Sequence, residues 1–177
     1  MRRTALLWLP FALVIGLLGL VAGGLWCPAD RLVHSAMVGR KLPRFALASM
    51  LPGKPGLSDA AYRTGRRPRL VNVFGSWCLP CAAEAPQLAR LKAMGVAIDG
   101  VAIRDTAPDV AAFLARYGDP YQRLGNDPAS RFQLAMGSSG VPETFVIAGD
   151  GTILQQHIGD IRADDVPELA RAAGVRP

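Results

Sequence analysis

The stretch from residue 69 to residue 94 restricts the possible folds most, because a strand pattern passes directly into a helix pattern there. The run RLVNVF at residues 69–74 is apolar, partly β-branched and bounded by a proline and a glycine, which predicts a buried strand. Residues 79–94 are rich in Ala and Leu, with Glu84 among them, and predict a helix. Cys78 and Cys81 therefore fall where a strand ends and a helix begins.

The rest of the domain continues this alternation of strands and helices. Further strands are predicted at residues 44–47, 96–103, 143–147 and 152–157, and helices at residues 58–62, 108–117, 127–134 and 164–173. Asp150-Gly151 between the last two strands is typical of a hairpin turn, and Pro86 inside the first long helix predicts a kink. This order predicts an α/β fold in which helices flank a mixed central β-sheet.

An uncharged apolar run at residues 4–26 precedes the domain. It is long enough for a helix to cross a hydrocarbon core of about 30 Å, and longer than the apolar part of a typical signal peptide, which has about 7–15 residues. We therefore predict an uncleaved membrane anchor over residues 1–26, although small residues at 22–24 leave cleavage open. The two arginines after Met1 favour a cytoplasmic N-terminus.

The anchor defines the expected organisation of the remaining chain. Residues 27–42 are predicted to form a stalk and residues 43–177 a folded domain on the outer side of the membrane. In a bacterium this places the domain at the periplasmic face of the inner membrane, where disulfide chemistry is normal. Four arginines before and at the start of the first long strand, at positions 63, 66, 67 and 69, form either a solvated basic turn or a contact for lipid or an acidic partner. No aromatic interleaving accompanies them, so we expect no nucleic-acid partner.

The spacing of Cys78 and Cys81 is compatible with half of a zinc site, a structural disulfide or a redox pair. A zinc site needs four ligands, and the remaining candidates, Cys27, His34 and His157, are far apart in the sequence, so we expect no metal. A disulfide across two residues closes a very small loop and stabilises little. We therefore predict a redox pair that needs no bound cofactor.

The position of the pair at a helix N-terminus assigns different roles to the two thiols. Unpaired N–H groups and the positive end of the helix dipole favour the thiolate of Cys78, which is the predicted attacking thiol. Cys81 lies one turn into the helix, so we expect it to be less exposed and to resolve the mixed disulfide on Cys78.

Several motifs resemble a known family. Residues 71–74 with the sequence VNVF, followed by WCLPC at residues 77–81 and then Pro86, resemble the thioredoxin superfamily. The segment GVPETF at residues 140–145 is similar to the signature of the DsbE/CcmG proteins, the membrane-anchored thioredoxin-like proteins of cytochrome c biogenesis. The resemblance extends over about residues 38–174 and implies a thioredoxin-like fold.

The resemblance also implies roles for residues outside the cysteine pair. Pro142 corresponds to a cis-proline that faces the C-x-x-C motif, where the backbone of Val141 is free to pair with an extended substrate beside Cys78. Trp77 is expected to pack beside the same turn and to contact substrate. The alternatives are an ordinary trans-proline at the start of a strand and a tryptophan in the core.

Two glutamates are candidate proton carriers for the thiols. Glu84 follows Cys81 by three residues, so the two side chains can share a helix face, and Glu143 follows the predicted cis-proline. Asn72 stands where thioredoxin itself has a buried acid, and because an amide cannot take a proton, that role would pass to Glu84 or Glu143. For either glutamate, the alternative is a solvated surface charge.

The resulting functional prediction is a membrane-anchored protein dithiol–disulfide oxidoreductase. The family implies a reductant of the heme-binding C-x-x-C-H cysteines of apocytochrome c, or of a partner thiol protein, that is recharged by a transmembrane electron donor of the DsbD/CcdA kind. One alternative is a general periplasmic thiol reductase or oxidant of the TlpA type. Another is a non-catalytic module that binds apocytochrome.

Overall fold

The computed structural model describes residues 36–63, 65 and 67–175, together with positions 8, 10, 11, 13–19 and 23 near the N-terminus. The chain divides into two compact units, Met1–Val33 and His34–Pro177. The described positions of the first unit are helical, and no helix among the described residues is long and apolar enough to cross a membrane. Much of the predicted anchor, the first part of the stalk, Cys27 and His34 lie outside the described residues.

The second unit alternates strands with helices, much as the sequence predicts. In chain order its elements are β1 (Ala46–Leu47), β2 (Leu57–Ser58), α1 (Ala60–Arg63), β3 (Arg69–Phe74), α2 (Leu79–Ala93), β4 (Ile98–Ile103), α3 (Ala107–Tyr117), β5 (Arg123–Asp127), α4 (Arg131–Ala135), β6 (Glu143–Ile147), β7 (Ile153–Ile158) and α5 (Val166–Ala172). Helix α2 continues through Pro86. Strands β6 and β7 pair antiparallel, which confirms the predicted hairpin.

The main sheet is mixed and has the strand order β5-β4-β3-β6-β7, while β1 and β2 form a separate ribbon. Strand β3 lies in the centre, parallel to β4 and antiparallel to β6. Its side chains alternate between two cores: Leu70 and Phe74 join one cluster with α2 and α5, and Val71 and Val73 join a second cluster on the opposite face. Burial on both faces explains why the strand reads as an almost continuous apolar run.

The structure corrects the sequence prediction between residues 123 and 135. The predicted helix at 127–134 is wrong at its start, because residues 123–127 form the edge strand β5 and the helix runs from Arg131 to Ala135. Asp127 ends the strand, and its carboxylate accepts hydrogen bonds from the backbone N–H groups of Arg131 at 2.8 Å and Gln133 at 3.0 Å. In the sequence Asp127 therefore looks like the capping residue at the start of a helix, although it is the last residue of β5.

The chain enters the domain at the end of the sheet where β3 begins. Gly39 N–H donates to the carbonyl of Ile153 and Ile153 N–H donates to the carbonyl of Arg40, both at 2.8 Å. Lys41 forms an ion pair with Asp150 in the hairpin turn, with the nitrogen and oxygen 2.6 Å apart. Because β3 runs away from this end, Cys78 and Cys81 lie at the opposite end of the sheet.

A buried ion-pair cluster also lies towards the entry end. Asp99 is fully buried and accepts hydrogen bonds from Arg69 at 2.7 Å, Arg123 at 3.2 Å and the Tyr62 hydroxyl at 2.8 Å. Arg69, from the basic cluster noted in the sequence, is thus tied to a carboxylate. This cluster joins β3, β4, β5 and α1 by charge-assisted hydrogen bonds.

Candidate active site

The cysteine pair occupies the junction between β3 and α2. Cys78 is the N-cap of α2, with extended backbone (φ −90°, ψ 109°), and its Sγ accepts a hydrogen bond from Cys81 N–H at 3.2 Å. The two cysteines form a disulfide with their Cα atoms 5.2 Å apart. Both are buried, with 5% and 2% of their surface exposed. The disulfide form therefore barely separates an attacking from a resolving cysteine by exposure, and those roles stay predictions.

The turn that carries the cysteine pair is hydrogen-bonded to the loop between β4 and α3. Asp105 in that loop accepts hydrogen bonds from Ser76, through the backbone N–H at 2.5 Å and through the hydroxyl at 2.8 Å. Cys78 N–H donates to the carbonyl of Gly75 at 3.1 Å. The N-terminal end of α2, where unpaired N–H groups favour a thiolate, is thus held in place by three hydrogen bonds in the preceding residues.

Trp77 lies on the surface beside this turn. Its side chain is 55% exposed, so the core alternative is wrong for Trp77, whereas Phe74 is a core residue. The indole packs against Gly75 so closely that a methyl group at that position would come within 2.6 Å of the ring. The guanidinium of Arg104 lies 5.8 Å from the ring centroid of Trp77. Trp77 is thereby available to touch a partner that approaches Cys78.

The Val141–Pro142 peptide bond is cis. Glu143, the next residue, begins β6 and pairs with Val73, so Pro142 emerges beside Phe74, the last residue of β3. The proline loop and the C-x-x-C turn therefore leave adjacent strands at the same end of the sheet. In the described part of the chain, neither the N–H nor the C=O of Val141 is hydrogen-bonded to another backbone group. The predicted part of Val141 and Pro142 in substrate binding stays a prediction.

Glu84 is fully buried, so the interpretation as a solvated surface charge is wrong for this residue. Its carboxylate accepts hydrogen bonds from the Asn72 side-chain amide at 2.8 Å and from the backbone N–H of Ile161 at 3.0 Å. Burial raises the pKa of Glu84 to about 7, although these two hydrogen bonds oppose the rise, and the charge of Asp160 adds to it. A carboxyl with this pKa exchanges its proton near neutral pH, as a proton carrier must.

Asn72 links Glu84 to two further buried polar groups. The Tyr121 hydroxyl donates to Asn72 Oδ1 at 2.6 Å, and Asn72 Nδ2 also donates to Thr144 Oγ1 at 3.0 Å. With its oxygen engaged by Tyr121, the amide presents its N–H₂ group to Glu84, which fixes the direction of the hydrogen bond. Burial raises the pKa of Tyr121 well above its ordinary value, and the charges of Glu84 and Asp119 add to the rise, so its hydroxyl remains a donor.

Glu143 is also buried, so the solvated alternative fails for it too, but it lies on the other face of the sheet. Thr144 contacts Asn72 on the α2 side, and Glu143 and Phe145 point the opposite way because successive strand residues alternate. The Glu143 carboxylate accepts a hydrogen bond from Ser139 N–H at 3.2 Å and one from the Gln156 side chain. The two predicted glutamates are therefore not brought together.

Comparisons with known proteins identify the family of the chain. The Redoxin family model matches residues 37–173. The chain belongs to the redoxin family. A thiol:disulfide interchange protein DsbE homolog of Paracoccus denitrificans is 37% identical over 176 residues, covering 97% of each chain. The HelX thiol:disulfide interchange protein of Rhodobacter capsulatus is 37% identical over 159 residues, covering 90% of this chain and 89% of its own.

A solved structure of a DsbE protein has the same fold as this redoxin. A putative thiol:disulfide interchange protein DsbE from Chlorobium tepidum has a TM-score of 0.59 and 27% identity, and the match covers 78% of this chain and 96% of that one. The predicted thioredoxin-like α/β fold with a mixed sheet is confirmed, as is membership among the DsbE-type proteins. This redoxin is a protein dithiol–disulfide oxidoreductase, with Cys78 and Cys81 at bonding distance.

Some residues of the redoxin site were not anticipated from the sequence. Tyr121 belongs to a segment that carries the family resemblance, so a signal for it existed, although its contact with Asn72 was not predictable. An acid just before a helix, such as Asp105, is a weaker signal, because such a residue usually caps the helix, a position that Thr106 occupies here. For Ile161 and Arg104 nothing in the sequence marked a role, because a backbone N–H and a surface arginine have no distinctive pattern.

Proposed function

We propose that this redoxin is a reductant of disulfides between the heme-binding cysteines of apocytochrome c, or of a partner thiol protein, during cytochrome c maturation. The observation that carries the proposal is the N-cap position of Cys78 with the buried Glu84 one helical turn beyond Cys81. The family membership supports the chemistry, and the resemblance to cytochrome c biogenesis proteins supports the proposed substrate class. The dithiol is the redox centre, and no further cofactor takes part.

The reaction passes two electrons from the protein to its substrate. The Cys78 thiolate attacks one sulfur of the substrate disulfide, forming a mixed disulfide and releasing the other substrate sulfur as a thiolate that takes up a proton. Cys81 then gives its proton to the Glu84 carboxylate and attacks the sulfur of Cys78. The second substrate sulfur leaves as a thiolate and is protonated, and the protein is left with the disulfide between Cys78 and Cys81.

The surroundings of the pair suit each step. The helix N–H groups stabilise the thiolate of Cys78. Val141, whose N–H and C=O have no backbone partner among the described residues, offers an extended substrate a strand to pair with, and Pro142 has no N–H to compete. Glu84 titrates near pH 7, so it can accept the proton of Cys81 and return it to water in the next cycle.

We further propose that the protein acts at the periplasmic face of the inner membrane, held by a single anchor over residues 1–26. The length of the uncharged run at residues 4–26 and the arginines before it support this placement. A reductant on an oxidising side needs a supply of electrons, which a transmembrane donor of the DsbD/CcdA kind would deliver to the disulfide.

The test is to trap the substrate. Cys81→Ala should hold it as a mixed disulfide on Cys78, and mass spectrometry of the captured protein should identify a C-x-x-C-H protein or a cytochrome-assembly thiol protein. Cys27→Ala is included in every variant to remove the third thiol, and Cys78→Ala with Cys81→Ala is the matched control that should trap nothing. Capture of unrelated proteins only, or a reduction potential as oxidising as about −120 mV, would contradict the proposal.

A further inference from the structure

A groove of about 480 Å³ begins at the C-x-x-C turn and runs along α3. Its lining includes Ser76, Trp77, Arg104, Phe113, Arg116 and Tyr117. The groove lies on the β4 side of β3, whereas the loop of Val141 and Pro142 lies on the β6 side. We call it the Trp77 groove. It is separate from the surface where the cis-proline would receive a substrate backbone.

Two arginines of the Trp77 groove expose their guanidinium groups beside aromatic rings. The guanidinium of Arg104 lies 5.8 Å from the Trp77 ring centroid, and that of Arg116 lies 5.2 Å from the Tyr117 ring centroid. Both side chains are exposed, and neither has an ion-pair partner among residues 36–63 and 67–175. Their planar donor groups are held over aromatic faces and remain open to a carboxylate.

The acids of the Trp77 groove are already engaged. Asp105 accepts hydrogen bonds from Ser76 and from Thr106 N–H, the latter at 2.9 Å. Asp109 accepts one from the Thr106 hydroxyl at 2.6 Å. Within the described part of the chain, the guanidinium groups of the groove are therefore not ion-paired, while its carboxylates serve the turn and the helix cap. The formal net charge of the chain, +6, adds a long-range attraction for acidic partners.

The backbone of Arg104 points to the same role. Its φ is +46°, in the left-handed region that a residue with a long side chain seldom occupies. Such a conformation costs free energy and persists where the surroundings fix it, often at a functional site. Arg104 follows β4 and its guanidinium lies beside Trp77, at the carboxyl end of the parallel strands β3 and β4, where α/β folds usually bind their ligands.

We propose that the Trp77 groove binds an acidic segment of the protein substrate, with an Asp or Glu two to four residues from the substrate cysteine. The inference rests on the proposed function and adds a preference among substrates. Ser76 is two residues from Cys78, so their Cα atoms are at most about 7.6 Å apart. An extended chain advances about 3.3 Å per residue. A substrate cysteine bonded to Cys78 would therefore place side chains two to four positions away in the groove.

The experiment uses three peptides that share one internal C-x-x-C disulfide and differ only in two flanking residues, which are Glu, Gln or Lys. The reduced full-length protein transfers two electrons to each peptide, and the second-order rate constant is measured at low and high salt. The Glu peptide should react about three- to tenfold faster than the Lys peptide at low salt, and the difference should shrink at high salt.

Variants of the arginines test whether the preference for the Glu peptide arises in the Trp77 groove. Arg104→Gln and Arg116→Gln should each lower the Glu-to-Lys rate ratio, and Arg104→Lys should keep most of it. Arg90→Gln makes the same change of charge about 18 Å along α2 from Cys78 and should leave the ratio unchanged. The ratio is insensitive to a general loss of activity, so partial misfolding does not imitate the effect.

The outcomes separate this inference from the proposed function. Equal rates for the three peptides, or a ratio that falls as much in Arg90→Gln as in Arg104→Gln, would overturn the acidic groove while leaving the reductant in place. Failure to reduce any of the peptides would overturn both.

Discussion

Replacement of Glu84 by Gln should remove a pH dependence from the stability of the fold. The carboxyl has a pKa of about 7 in the folded chain, against 4.5 for an ordinary glutamate. The folded state therefore binds the proton of Glu84 more tightly than the unfolded state does. The stabilisation of the fold by this proton is complete below pH 4.5 and is lost as the pH rises through 7. At about 1.4 kcal/mol per tenfold ratio, the separation of the two pKa values amounts to about 3 kcal/mol.

The size of the effect over an accessible range follows from the same two pKa values. The oxidised wild-type protein should lose about 2.5 kcal/mol of unfolding free energy between pH 5 and pH 8. In Glu84→Gln this loss should disappear. The NH₂ group of the new amide cannot accept a hydrogen bond, so either the Asn72 amide or the Ile161 N–H loses its acceptor, which costs about 1 kcal/mol of unfolding free energy. The variant should therefore be about 2 kcal/mol more stable than the wild type at pH 8.

Urea unfolding of the full-length oxidised protein at pH 5, 6, 7 and 8 measures this difference. The disulfide-bonded Cys78 and Cys81 do not titrate, so the pair adds nothing to the slope. Glu168→Gln, an exposed acid that accepts a hydrogen bond from Gln155, is the matched control and should follow the wild type. If Glu84→Gln kept the wild-type slope between pH 5 and pH 8, the assigned ionisation of Glu84 would be refuted.

Two further predictions concern the buried polar groups. Tyr121→Phe leaves the buried oxygen of Asn72 without its donor and should cost about 1–3 kcal/mol of unfolding free energy in urea; an unchanged midpoint would contradict the hydrogen bond. Asp99→Asn leaves the guanidinium groups of Arg69 and Arg123 without their carboxylate and should cost about 3 kcal/mol in the same assay. Because Asp99 lies away from the thiols, its replacement should not alter the rate of peptide reduction, and a large change in that rate would contradict this separation.

The sequence predicts the fold best where local patterns are strong. Strand β3 and helix α2 have clear apolar patterns, so both were predicted within one residue of their ends. Strand β5 was missed because its sequence, RLGND, contains one large apolar residue and ends in two residues typical of turns. Its burial comes from pairing with β4 and from contact of Leu47 with Gly125, which no local pattern reveals.

The candidate site likewise combines features that the local sequence predicts with features that depend on distant parts of the chain. The N-cap position of Cys78 and the spacing from Cys81 to Glu84 follow from the chain itself. The burial of Glu84 does not, because one of its donors is Ile161, 77 residues further along. The separation of Glu84 from Glu143 likewise depends on sheet register, which places Glu143 on the face opposite α2. A shift of one residue would have reversed that face.

The entry of the chain beside Ile153 leaves the cysteine end of the sheet clear of residues 39–41. Strand β3 has six residues, so the cysteines lie about 20 Å beyond the end of the sheet where residues 39–41 are bound. The segment through which the chain enters therefore does not cover the thiols, and a disulfide of another protein can approach Cys78 at the opposite end of the sheet.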